Sequence, residues 1–423
     1  MPRITLLKAH LRSLRRDSRG NVLMILALGT PLLIGAVGLA VDTAQWTLAK
    51  RQLQSAADDA AKSGVFAVIK NASVDDAVAA TVGERHAPAE TNIQINRTPA
   101  SRLDDPFAVE VRLTAPAATT FAGMFMASRP IVTATALATV VEDGQYCAFA
   151  VGDGDDNGIK LEEDTSVDSQ CGIATNSSSK DAVQTVGSSS ITAPRVAAYG
   201  GIDGSKSPDT FVARSYGLRQ KDPLADTDAP LVPNTGCPNV TINADSASTQ
   251  GTVALKPGCY GNMLINGPIV LLPGEFILNR GNMIVGPTGS VICNGCTIFL
   301  TSQDAGTDPG SIGKVRMDPH ANIKLAAPTQ GPNAGLLIYQ DRHAGREVAG
   351  EENRIGGNSL SKISGLIYLP SQGLRLDGES NPDLSCARVI GRRLIIKGRL
   401  FLAKDCEGSK PTTFAGTDVR LIQ

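Results

Sequence analysis

Hydrophobic positions divide the chain into three regimes. The first is an unbroken apolar run, Asn21 to Val41 (NVLMILALGTPLLIGAVGLAV), with no ionised side chain. A helix rises ~1.5 Å per residue, so a run of this length covers a hydrocarbon core of roughly 30 Å. Pro31 lies mid-run. It would break a helix in water and is tolerated in a bilayer. Residues 21–41 are therefore predicted to be a single transmembrane helix. In the second regime, Thr43 to Lys70, small and apolar residues recur at helical spacing: Ala49, Leu53, Ala57, Ala60, Gly64 and Ala67. Asp58, Asp59 and Lys62 fall off that stripe, so the stripe is the face predicted to pack. A second short helix is expected over Asp75–Glu84. Asn92–Asn96 and Phe107–Leu113 alternate as half-buried strands do. Thr119–Ala127 reads as a short helix and Pro130–Val141 as a strand. Residues 42–141 thus form a small α+β domain.

The third regime begins after Val141, with Glu142–Gln145 as the domain joint. Helical periodicity disappears. Apolar triplets follow one another between turn signals: Met263–Ile265, Val270–Leu272, Phe276–Leu278, Met283–Val285, Val291–Ile292 and Ile298–Leu300, then Leu336–Tyr339, Leu366–Leu369, Val389–Ile390, Leu394–Ile396 and Leu400–Leu402. Strands this short bury a core when each turn of chain stacks on the last, as in a β-solenoid such as a right-handed β-helix. A sandwich or jelly roll is the competing arrangement. The fold class is therefore α+β, mainly β, with a β-helix-like domain over 147–423. Residues 201–236 read as a Pro- and Asp-rich linker or surface excursion, and 341–359 as a charged mobile loop.

Charge sets the orientation. Arg3, Lys8, Arg12, Arg15, Arg16 and Arg19 precede the apolar run against one acid, Asp17, while Asp42 and Trp46 follow it. Basic flanks stay in the cytoplasm and Trp favours the headgroup zone. Residues 1–20 are thus a cytoplasmic tail, and the bulk lies outside. A cleaved signal sequence is the alternative, with Gly38-Leu39-Ala40-Val41 as its weak site. The apolar run instead passes unbroken into helix. The net charge is −1, with the basic excess confined to the tail. This argues against a nucleic-acid partner. Forty-three Gly, 24 Pro and 4% aromatics fit a turn-rich β architecture.

All eight cysteines, Cys147, Cys171, Cys237, Cys259, Cys293, Cys296, Cys386 and Cys406, follow the apolar run. In an oxidising compartment they predict disulfides. Short loops lose least entropy on closing, which favours 147–171, 237–259, 293–296 and 386–406. A zinc site built on Cys293 and Cys296 lacks a second ligand pair.

One local motif has metal-ligand spacing. Asp153, Asp155, Asn157, the Ile159 carbonyl and Asp164 match a calcium loop, with Gly158 at the turn. Its flanks are strand-like, and the bland alternative is an acidic surface turn. Glycan cleavage would need convergent carboxylates. Its candidates are Asp341-Arg342-His343 and Glu351-Glu352, in a loop that reads as a solvated excursion. Arg392, Arg393, Lys397 and Arg399 read as an exposed basic face. Ser177–Ser179 and Ser188–Ser190 lack a nucleophile frame. Non-enzymatic docking is the leading expectation, with no cofactor and no small-molecule substrate. A glycan-cleaving enzyme and a calcium-dependent adhesin are the alternatives.

Residues 16–64 resemble the amino-terminal segment of TadG-like proteins of bacterial Tad (Flp-type) pilus assembly. The resemblance rests on Arg19, Gly20 and Asn21 at membrane entry, Pro31, Gly38, Asp42 at the exit, and Gln52, Leu53, Ala56, Ala57, Asp58, Ala60, Ala61 and Gly64. It extends in layout to Val141, as a pilin-like domain. It extends more loosely to phrases such as Pro273–Ile277 and Gly365–Pro370. It implies a single-pass inner-membrane protein, amino terminus cytoplasmic and bulk periplasmic or surface-exposed, whose partners are other pilus-assembly membrane proteins. Two departures stand out. Peptidase-cut prepilins carry Glu five residues after the Gly, whereas Ile25 follows Gly20 here. No Asp-x-Ser-x-Ser metal string of the kind some family members carry is read after a buried strand.

Overall fold

The computed structural model describes residues 20–88, 90–203, 210–234, 236–243, 253–406 and 414–422. The predicted tail lies outside them up to residue 19, as do 204–209 and 235 of the predicted linker. The chain divides into two units, Met1–Val141 with Val419–Gln423, and Glu142–Asp418.

In the first unit one helix, α1 (Gly20–Ile69), runs unbroken through Pro31. It alone among the described residues is long and apolar enough to cross a membrane. From Met24 to Val41 its large apolar side chains are exposed, Leu28 and Leu32 at 76% each. Beyond Asp42 the small-residue stripe does pack: Leu53, Ala57, Ala60 and Gly64 are buried. The close fit depends on Gly64, where a Cβ would stand 2.8 Å from a Val109 methyl. Helix α2 (Val74–Glu84) is N-capped by the Ser73 hydroxyl on the Asp76 N–H. Strands β1 (Asn92–Asn96), β2 (Val109–Pro116) and β3 (Ile131–Ala150) form an antiparallel sheet. The helix predicted over Thr119–Ala127 is corrected to a 3-10 turn, Ala122–Met124, because Thr119, Thr120 and Gly123 are poor helix formers. The division between the units falls at Val141–Glu142, at the predicted joint, while the strand predicted to end at Val141 continues as β3 to Ala150.

In the second unit most triplets are strands, and strands three apart in sequence pair in parallel. One sheet takes β11 (Val240–Ile242), β14 (Met263–Ile265), β17 (Met283–Val285) and β20 (Val315–Met317). A second takes β12 (Val253–Leu255), β15 (Pro268–Leu271), β18 (Ser290–Asn294) and β21 (Asn322–Ala326). A third takes β13 (Gly258–Tyr260), β16 (Gly274–Asn279), β19 (Cys296–Thr301) and β22 (Leu336–Gln340). A sandwich or jelly roll would need antiparallel pairs, and every described strand pairing of this unit is parallel. Alternation decides what is buried. Met263, Ile265, Met283, Val285, Val315 and Met317 point inward, while Leu264, Ile284 and Arg316 face out.

The stacking order is not the chain order. The third sheet continues through β24 (Lys362–Leu369) and β26 (Ala387–Gly391) to the end of β3, then β6 (Gly172–Thr175), β9 (Arg195–Ala198) and β10 (Val212–Arg214). The earliest strands of the unit therefore stack on its latest. The chain must then return from one end of the stack to the other. The supposed linker makes that return as a strap along the third sheet. The Gln220 N–H donates to Asn176 Oδ1 at 2.7 Å, the Tyr368 hydroxyl to Asp222 at 2.7 Å, and the Tyr339 hydroxyl to the Thr227 carbonyl at 2.5 Å. Tyr339 and Tyr368 stack with ring centroids 5.1 Å apart. The strap ends in the Cys237–Cys259 bond. Disulfides 147–171, 293–296 and 386–406 complete the nearest-neighbour set.

Asparagines tie successive turns. The Asn262 N–H donates to Asn239 Oδ1 at 2.7 Å, the Asn282 N–H to Asn262 Oδ1 at 2.8 Å, and the Lys314 N–H to Asn282 Oδ1 at 2.8 Å. Each side chain takes an N–H that has no ladder partner. Asn282→Ala is expected to cost about 1–2 kcal/mol, from one orphaned N–H and the lost side-chain bonds. An unchanged urea midpoint would show that water replaces Asn282 fully.

Candidate functional site

Two of the residues that carry the family resemblance, Gly38 and Asp42, meet one distant segment at the end of the apolar run. Asp42 is fully buried, one turn past Gly38 on α1. Its carboxylate accepts the backbone N–H groups of Thr120 at 2.8 Å and Phe121 at 3.0 Å, and that of Ala122. One side chain on α1 therefore caps the 3-10 turn of a distant segment, satisfying donors that the turn leaves open. The Ala122 N–H above all, with those of Thr120 and Phe121, outweighs desolvation and holds the carboxyl below the usual aspartate range. Gly38 gives the Phe121 ring room, since a Cβ there would lie 2.5 Å from the ring. The Trp46 indole donates to the Ala118 carbonyl at 2.9 Å. Lys50 donates to the Thr133 carbonyl, and Gln54 to that of Thr135 at 2.9 Å. Asp42 and Gly38 were legible as family positions. Their partners at 118–122 were not, because about eighty residues separate them and nothing local marks the pairing.

The calcium-spaced residues lie on the second unit. Asp153 is exposed and pairs with Arg219 at 3.0 Å. Asn157 donates its amide to the Asp181 carbonyl at 2.6 Å. Asp155 and Asp164 are exposed, Asp164 with φ 58°, and Ile159 is buried in strand β4 (Ile159–Leu161). Among the described residues no three His, Cys, Asp or Glu side chains gather as a metal-ligand group.

The candidate carboxylates have partners too. Asp341 accepts from the Thr301 hydroxyl at 2.8 Å and from His343 Nδ1 and N–H at 2.8 and 3.0 Å. Arg342 donates to the Thr227 carbonyl of the strap at 3.0 Å. Glu351 pairs with Lys314 at 3.0 Å, and Glu352 with Arg393. The charged segment 341–359 includes a buried strand, β23 (Asn353–Ile355), while Val348–Glu351 are exposed. Arg392 and Arg393 are not an open basic face. Arg392 bridges Asp156 at 2.7 Å and Glu347 at 2.6 Å, and Arg393 Nε lies 3.3 Å from Glu347. Burial pushes the Glu347 carboxyl up, but the Arg392 guanidinium and nearby backbone N–H groups hold it below the usual glutamate range. Arg316, Arg354 and Arg375 stand in register on adjacent strands, beside a groove of about 480 Å³. Asp377 pairs Arg354 at 2.5 Å, and Glu162 holds Arg375 through both oxygens.

Residues 20–73 match the model of the Tad family, described as Putative Flp pilus-assembly TadE/G-like. The matched stretch contains the whole of α1. No curated protein and no solved structure matches the chain.

Proposed function

We propose, from that match, that this chain is a non-enzymatic component of Tad/Flp pilus assembly, anchored in the bacterial inner membrane. Helix α1 is the single-pass anchor, with the amino terminus cytoplasmic and the bulk periplasmic or surface-exposed. The three-strand parallel repeat is read as a right-handed β-helix, a rigid body displayed for docking to other pilus-assembly membrane proteins or for adhesion. The observation that carries this reading is the coincidence of the family match with a long helix whose apolar run, up to Val41, is exposed. The separate partners of Asp341, Glu351 and Glu352, which do not bring these carboxylates together, support a role without bond chemistry. Deletion of the gene is expected to abolish surface pili or adhesion and leave glycan turnover intact. Normal piliation in the deletion strain would overturn the reading. So would glycan-cleaving activity of the purified chain that vanishes in Asp341→Asn.

A further inference from the structure

We infer that the tip of the loop joining β2 and β3, Met124-Phe125-Met126, inserts into the outer-leaflet interface of the bilayer as a second contact beside the anchor helix. The inference rests on the reading of α1 as a membrane span. The tip is strongly apolar and uncovered: Met124 is 78% exposed, Phe125 87% and Met126 44%. Ile131, where the loop returns, is 72% exposed. Such residues in one short stretch mark a contact surface.

The loop's attachment decides which way it faces. Its two stems meet α1 well past the apolar run, Ala118 at Trp46 and Thr133 at Lys50. Its distal part meets α1 further back, Thr120–Ala122 at Asp42 and Phe121 at Gly38. Contacts thus step from Lys50 back to Gly38, about 18 Å along the helix, as the chain moves toward the tip. Gly38 lies inside the apolar run, so Phe121 already stands at hydrocarbon depth. Met124–Met126 follow directly, carried by a turn whose N–H groups Asp42 has capped. Aromatic and apolar side chains at that level partition into the headgroup–acyl boundary. A bilayer is favoured over a protein partner because Phe121, just before the tip, packs on Gly38 inside the apolar run, where Val37, Leu39 and Val41 are themselves exposed.

The full chain, reconstituted in phosphatidylcholine vesicles, tests this with an added tryptophan, Phe125→Trp, read as a difference from the parent, whose one indole is Trp46. A second variant, Leu28→Trp, reports the span independently. Emission of Phe125→Trp is expected to shift to the blue, to be quenched by lipids brominated near the headgroup, and to be shielded from aqueous iodide. Met124→Trp reads the same depth should Phe125→Trp misfold. Iodide access at 124 or 125 alongside bromolipid quenching at 28 would overturn the inference and leave the span standing. Iodide access at both places would remove the span reading, and the inference with it.

Discussion

Arg392→Ala is expected to destabilise the chain by about 3–5 kcal/mol, the loss typical of a buried ion pair stripped of one partner. Arg392 holds Glu347 at 2.6 Å and Asp156 at 2.7 Å, and the Glu347 side chain is 1% exposed. Without Arg392, Glu347 keeps Arg393 Nε at 3.3 Å and the backbone N–H groups of Gly373 and of its own residue, but no close guanidinium pair. Its carboxylate is then desolvated and under-compensated. Replacing both partners, Arg392→Leu with Glu347→Leu, is expected to cost far less, because no buried charge is stranded. Acid gives a second readout. The folded pKa of Glu347 lies below its ordinary value of 4.5. The pair's contribution is therefore complete above about pH 4.5 and is lost as pH falls through the folded value. The penalty of Arg392→Ala, measured by urea midpoint, should shrink over that acid range. A penalty that is small at neutral pH, or constant with pH, would mean that water reaches Glu347.

The elements were largely legible, and for identifiable reasons. The run 21–41 and the stripe at Leu53, Ala57, Ala60 and Gly64 are local patterns with a single physical solution, and α1 realises both. Met263–Ile265 and Met283–Val285 are strands at the predicted residues because turn residues such as Asn266 and Gly267 leave no room for a helix. Disulfide pairing followed from loop length, since each cysteine's nearest neighbour in sequence is also its partner. What could not be read is long-range. Nothing in Tyr146–Ala150 announces that it stacks on Val389–Gly391. Parallel strands of similar composition leave the order of stacking open. The anchoring of the surface excursion at 201–236 could not be read for a related reason. Residues such as Asp222 and Thr227 look solvated in sequence, yet they answer the buried hydroxyls of Tyr368 and Tyr339. Burial and the Asp222 carboxylate push the Tyr368 phenol up, so it stays a donor. Asp42 likewise gave no sign that it would cap Thr120–Ala122.

Gly281→Ala is expected to cost about 3 kcal/mol, at the upper end of ordinary overpacking. A column of glycines runs through the corner ahead of β14, β17 and β20. A Cβ on Gly281 would lie 2.1 Å from the Gly261 carbonyl oxygen, and one on Gly313 would lie 1.9 Å from that of Gly281. These clashes are with backbone, so no rotamer relieves them, and stacked strands sit only ~4.8 Å apart. The turns must separate, which pulls Met283 from Met263 and the Asn282 N–H from Asn262. The repeated Gly-Asn-Met at 261–263 and 281–283 is the sequence trace of this corner: glycine where backbone meets backbone, asparagine to take the free N–H, methionine turned inward. Gly306→Ala is the matched control, with no atom within 4 Å of its Cβ on an exposed turn, and should move stability by less than ~0.5 kcal/mol. Equal urea midpoints for the two variants would mean that the glycine column does not set the spacing of the turns.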